Sequence, residues 1–248
     1  MIQMGHQSDE NIQKIGANQT DADQASKPLT WIAGIRRPAD FQRTSQPAEG
    51  NADAAHYGCD QNWYSDPFQQ KAGCGPCAAA NLIDYAVRPQ SDPASHSGSL
   101  PDFIRLMHEV WAFVTPGLMG VHRARHLADG LSRYAREHQL EIESVMLDIP
   151  VRRNRRPATA SVISFITAGL HADSPVAFLN RSNGLLTEPE SWHWVTITAL
   201  YSSHDGTIHA EIANYGRVSL INLSAWLQTT RLGGGFVYCR PITASPTE

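Results

Sequence analysis

A cysteine opens the first stretch that could do chemistry. In Gly73-Cys74-Gly75-Pro76-Cys77 two thiols stand among glycines, directly before the alanine-rich run Ala78-Ala79-Ala80-Asn81-Leu82. A side chain at a helix start lies near the positive end of the backbone dipoles, among N–H groups with no partner in the helix. Such a place favours a thiolate, the nucleophilic form of cysteine. The glycines would let a substrate carbonyl approach those amides. Two chemistries fit these residues. One is attack on a carbonyl by an activated thiolate. The other is thiol–disulfide exchange, because Cys74 and Cys77 have the Cys-x-x-Cys spacing.

A second stretch bears on that choice. Ser191-Trp192-His193-Trp194-Val195-Thr196-Ile197 sets a histidine at the head of an apolar strand, between two tryptophans that would shield a site from water. A lone histidine is more often structural than catalytic. His108, His122, His126 and His138 lie on polar helices or loops and read as solvated. The third stretch is Ile212-Ala213-Asn214-Tyr215-Gly216, beyond the turn signal Ser202-Ser203-His204-Asp205-Gly206. If those five residues form the loop, Tyr201 pairs with Thr207 and His193 faces Tyr215. Asn214 is then one residue from direct pairing with His193. A tighter Asp205-Gly206 turn moves the register by about three residues. An amide oxygen that accepts from an imidazole N–H fixes its tautomer and ring orientation, as the third member of a triad does. The plainer reading of Asn214 is a turn residue ahead of Gly216.

A carbonyl under attack also needs a donor for its developing oxyanion. Gln69 and Gln70, just before Cys74, are the candidates, each able to act with the Cys74 backbone N–H. Gln61 and Asn62 are more distant options.

These residues need elements to hold them. Pro76 to Ala86 reads as a helix with proline in its first turn. Leu100 to Val114 has helical apolar spacing, as do Val121 to His138 and Ala158 to Leu170. Leu140 to Leu147 alternates and reads as a strand. The last third reads as strands at Pro175–Asn180, His193–Tyr201, Thr207–Asn214, Arg217–Leu223 and Gly235–Arg240, with a helical turn at Ser224–Thr229. Helices first and an antiparallel sheet last indicate an α+β fold. Residues 1–55 differ: they are rich in Gln, Asn, Asp, Ser, Thr and Ala, and their one apolar cluster is Leu29 to Ile35. They read as a polar leader, mostly disordered or docked as an arm through Trp31 and Ile32. A catalytic domain over 56–243 and a tail at 244–248 complete the expected organisation.

Composition excludes several classes. The chain has 248 residues, a formal net charge of −4 and four cysteines, too few for a disulfide scaffold. Bulk charge gives no sign of nucleic-acid binding, and no apolar run is long enough for a membrane span. No His/Cys/Asp grouping has metal-ligand spacing, so neither metal nor cofactor is expected. The start has no apolar core of a Sec signal peptide. The reading is a monomer made in the cytoplasm that acts on a protein or peptide. A polar head also suits export by a route without a Sec signal, as for a secreted bacterial effector. Arg152-Arg153-Asn154-Arg155-Arg156 reads as a solvated connector, and Cys59 and Cys239 as chemically silent.

Together the motifs carry a resemblance. Gln ahead of Gly-Cys-Gly-Pro-x-Ala-Ala-Ala-Asn-Leu, then His-Trp-Val-Thr-Ile, then a strand ending Asn-x-Gly, resembles the papain-like cysteine peptidase clan, and most of all the bacterial C39-like peptidase group. Three short motifs carry it, in order across roughly residues 60–240. The resemblance implies a papain-like fold in which an N-terminal helical part, with the nucleophile at a helix start, packs on a C-terminal antiparallel sheet. It implies a thiol protease with Cys74 as nucleophile, His193 as base, Asn214 as orienting residue and Gln69 or Gln70 as oxyanion donor. The chain departs from the pattern twice. Many C39-like members carry Asp where Asn214 stands, and the usual offset for the Gln falls on Phe68. In papain-type Cys-Gly-Ser-Cys motifs the second cysteine is the nucleophile, which keeps Cys77 as an alternative to Cys74. A glutamine deamidase, a transglutaminase-like enzyme, an acyltransferase, a redox protein and a silent binding domain are the other functions these residues allow.

Overall fold

The chain builds an antiparallel sheet with helices on both faces, as seen in a computed structural model that describes residues 28–44, 55–88 and 98–242. In chain order, β1 (Thr30–Gly34), β2 (Gln42–Thr44) and β3 (Ala55–Tyr57) precede two abutting helices, α1 (Pro67–Ala72) and α2 (Cys74–Val87). Then come β4 (Gly98–Ser99), α3 (Leu100–Trp111), α4 (Ala124–Glu137), β5 (Ile142–Ile149) and α5 (Thr159–His171). The last third holds β6 (Val176–Asn180), β7 (His193–Ser202), β8 (Ile208–Asn214), β9 (Arg217–Asn222), α6 (Leu223–Thr229) and β10 (Gly234–Pro241). The fold is therefore α+β. The order of the main sheet is β5-β10-β6-β7-β8-β9, with β1 also paired to β7. β2, β3 and β4 form a small second sheet.

Alternation along the strands explains the two cores. Ala177, Leu179, Trp194, Val237 and Cys239 face α2, α3 and α4, while Val176, Phe178, Val195, Ile197 and Phe236 face α5 and α6. Side chains one residue apart on a strand point to opposite faces, so strands apolar at every position need cover on both sides. β6 is buried at every residue and β7 over its first eight. The sheet closes the ledger of its own backbone donors through β1. β6 pairs with the first half of β7, and β1 takes the second half, with Thr30 opposite Ser202 and Gly34 opposite Ala199.

That pairing corrects the boundary expected at residue 55. The segment over 30–44 belongs to the folded domain, because β1 satisfies the open edge of β7. Ala33, Ile35 and Phe41 are buried, and Arg43 is an interior cation paired with Asp84 of α2. Burial pushes the Arg43 guanidinium down to about 10. Trp31, expected to anchor an arm, lies mostly in solvent. The remainder of the leader, 1–27 and 45–54, and the whole tail at 244–248 lie outside the described residues. Among the described residues, no helix is long and apolar enough to cross a membrane.

Candidate active site

α2 begins earlier than its proline suggests. Cys74 is its first residue, and Gly73 ends α1 and begins α2 at once. The first amide bonded within the turn is Cys77 N–H, which donates to Gly73 O at 2.8 Å. The amides before it are the unpaired donors of a helix start. Glycine is required here by internal packing. A Cβ on Gly73 would stand 2.4 Å from Gln69 O, and one on Gly75 would stand 2.7 Å from the Val121 side chain. The room those glycines leave is filled by protein, and only Cys74 of the pair is partly open to solvent.

His193 reaches this helix start from the sheet. It is the first residue of β7, and its side chain is 7% exposed. Its Nε2 lies 2.8 Å from Asn214 Oδ1. An amide oxygen only accepts, so Nε2–H is the donor and Nδ1 is left to face the thiol. Burial would lower the imidazole pKa. The hydrogen bond and charge of Cys74, aided by Glu190 and Asn214, outweigh it and raise the pKa above 6.5. Cys74, His193 and Asn214, expected to meet from sequence, thus line one small cleft of about 20 Å³.

The register that brings Asn214 there differs from the one read from the turn. Ser202 pairs with Ile208, then a bulge falls between Ile197 and Ala199, and beyond it Thr196 pairs with Ala213. One step further sets Asn214 alongside Val195, which shares a side of β7 with His193. A slip of one residue reverses every side chain on a strand. Without the bulge, Asn214 would stand opposite Thr196, on the wrong side of the sheet. The same strand end continues into a two-residue turn, with Asn214 paired to Arg217 and positive φ at Tyr215 (48°) and Gly216 (68°). Glycine suits that left-handed geometry, whereas tyrosine pays about 1 kcal/mol for it. Tyr215 gains in return a ring stacked on His193, with centroids 5.0 Å apart.

The glutamines expected to hold an oxyanion lie away from Cys74 and His193. Gln70 lies within α1, and its side-chain amide donates to Tyr64 O at 2.7 Å and Asn62 O at 3.4 Å. Neither Gln69 nor Gln70 lines the cleft. Gln61 does, beside Cys74 and His193. It opens a 3₁₀ turn capped by Asp60, whose carboxylate accepts from Asn62 N–H at 2.9 Å. One Gln61 amide hydrogen is anchored on Gln70 O at 2.7 Å, which leaves the second. α1 carries Gln69 and Gln70 away from the cleft, while the loop before it brings Gln61 beside Cys74. The backbone ties that loop to the histidine side: Gly216 N–H donates to Cys59 O at 3.1 Å, and Tyr57 N–H to Gly216 O at 2.7 Å.

The other cysteines are set apart by burial. Cys77 lies in the core with Cys59 as its neighbour, and burial followed by that contact pushes its thiol well above 9.0. Burial alone pushes Cys239 up to about 12. All four thiols are free. The tryptophans that flank His193 divide their roles. Trp194 is buried, its indole N–H donating to Val121 O at 2.5 Å, and Trp192 is half-exposed at positive φ (63°). Trp192 helps to wall a second, larger cavity of about 300 Å³ that adjoins Cys74, together with Phe68, Leu118, Met119 and Leu179. Two features were not legible in the sequence: this apolar cavity, and Glu190, whose carboxylate lies 3.9 Å from His193 Nδ1. Among known proteins, no family model and no curated sequence matches the chain.

Proposed function

We propose that this protein is a cysteine hydrolase of papain-like architecture that cleaves an amide bond in a peptide or protein. The observation that carries the reading is the single imidazole shared between two partners, one ring nitrogen on Asn214 and the other toward Cys74. A histidine so held presents Nδ1 to accept the thiol proton, because its other nitrogen already donates. The Cys74 sulfur then attacks the carbonyl carbon. The oxyanion is received by the free Cys74 backbone N–H and the Gln61 side-chain amide. His193 returns its proton to the leaving amine as the C–N bond breaks, and a thioester remains on Cys74. Neutral His193 next takes a proton from water, whose oxygen attacks the thioester and releases the acid.

The larger cavity supports a substrate with a large apolar side chain near the scissile bond. Its walls are Phe68, Leu118, Met119, Leu179 and Trp192, and Leu118 and Met119 project into solvent until something covers them. The redox reading of Cys74 and Cys77 has less support. α2 follows another helix and not a buried strand, and Cys77 is turned to Cys59 in the core.

The test is alkylation of the full chain by iodoacetamide at mildly acidic pH, with the modified peptide located by mass. Wild-type protein should react at Cys74, and Cys74→Ala should not react. Equal labelling of Cys74→Ala, or labelling lost only in Cys77→Ala, would overturn the assignment. Intact mass of candidate substrates separates hydrolysis from side-chain deamidation. Fragments mean cleavage, and a gain of about one dalton without a chain break means exchange of NH for O.

A further inference from the structure

We propose that Glu190 is a positioning residue for His193, its carboxylate fixed by the Tyr215 hydroxyl as a second counter-charge on the ring edge that faces Cys74. The functional meaning rests on the hydrolase reading above, but the electrostatic claim is testable without it. Three elements converge on the imidazole. Cys74 comes from the start of α2, Tyr215 from the β8–β9 turn, and Glu190 from the loop between β6 and β7. Asp60 and His56 stand further out, beside Gly216, and Cys59 and Cys77 line the same cleft.

The loop is held so that Glu190 has little choice. Buried Asn180, which pairs with His193 across β6 and β7, donates through Nδ2 to Pro189 O and Glu190 O, both at 2.9 Å. Its Oδ1 accepts from the Trp226 indole at 2.9 Å, so the amide cannot turn over. This pins the backbone at Glu190. The Tyr215 hydroxyl then donates to Glu190 Oε1, the oxygen nearest His193 Nδ1. Burial opposes the Glu190 charge, yet the Tyr215 hydrogen bond and the His193 charge outweigh it and lower the carboxyl pKa. Tyr215 thus does two things at a left-handed position: it stacks on the ring and it aims the carboxylate.

A fixed anion here matters most after attack. While Cys74 is a thiolate, it is itself the counter-charge for the imidazolium. Once the S–C bond forms, the negative charge moves to the oxyanion and the sulfur becomes neutral. Glu190 remains 3.9 Å from Nδ1 and keeps the proton on His193 until the leaving amine takes it. Because raising the pKa extends the protonated form above pH 6.5, the acid function is lost as pH rises through that raised value.

The experiment is a pH titration of the His193 Cε1–H resonance in the full chain, assigned among the eleven histidines by its absence in His193→Gln. Glu190→Gln keeps the acceptor for Tyr215 and removes only the charge. The wild-type midpoint should lie above 6.5. It should move to lower pH in Cys74→Ser, lower again when Glu190→Gln is added, and recover in part when Glu190→Asp replaces Glu190→Gln. On a cleaved peptide, Glu190→Gln should slow turnover about threefold on the alkaline side and little on the acid side. A midpoint that moves with Cys74→Ser but is the same with and without Glu190→Gln overturns the role of Glu190 and leaves the thiol–imidazole pair standing. A midpoint that moves with Glu190→Gln but not with Cys74→Ser supports the counter-charge and overturns the pairing with Cys74.

Discussion

The two sides of the cleft are made in different ways. The cysteine side is local: Gly73, Cys74, Gly75 and Pro76 are consecutive and form the start of one helix. The histidine side is assembled from four separate pieces, the first residue of β7, the end of β8, the β8–β9 turn and the loop that carries Glu190. Gln61 belongs to neither, on a loop that bridges them. A thiol can be placed by the backbone geometry of a few neighbouring residues, whereas an imidazole is oriented by partners that only tertiary contacts supply.

The comparison can be broken at several points. The largest effect is expected at Gln61. Gln61→Ala should lower kcat/KM on a cleaved peptide about a hundredfold, the cost of one oxyanion donor. Gln70→Ala, whose amide is engaged by Tyr64 and Asn62, should fall far less; equal losses would return the donor role to the helix side. Next is Asn214→Ala, which frees the His193 ring and should cut turnover about tenfold while Cys74 still reacts with iodoacetamide. If labelling also disappears, the two sides of the cleft act as one unit. The smallest effect on chemistry belongs to Cys77→Ala. Labelling of Cys74 should be unchanged. Stability should drop by about 1 kcal/mol, measured by urea unfolding, because a buried thiol leaves a small cavity beside Cys59.

Much of the frame was legible in the sequence. The helices over α2 to α5 and the strands β5 to β10 fall within a few residues of their expected bounds, because apolar periodicity and turn residues are local signals. β1 was hidden in a polar leader. The apolar cluster Leu29 to Ile35 marked the place but not the conformation, because so short a segment becomes a strand by filling the edge that β7 leaves open. That Gln61 and not Gln69 or Gln70 lines the cleft was hidden for a similar reason. Gln69 and Gln70 are near Cys74 along the chain, but α1 makes nearness in sequence irrelevant to direction.

By itself the sequence determined the α+β order of elements, a thiol at a helix start, and a histidine at the head of a buried strand. Each is a property of a few neighbouring residues, set by dihedral preference and hydrophobic pattern. Tertiary structure decided which glutamine lines the cleft, which anion faces the imidazole, and which face of the sheet Asn214 occupies. The last turns on one extra residue, the bulge between Ile197 and Ala199. Side chains alternate with a period of two, so a single inserted residue moves Asn214 from the far side of β8 to the side of His193.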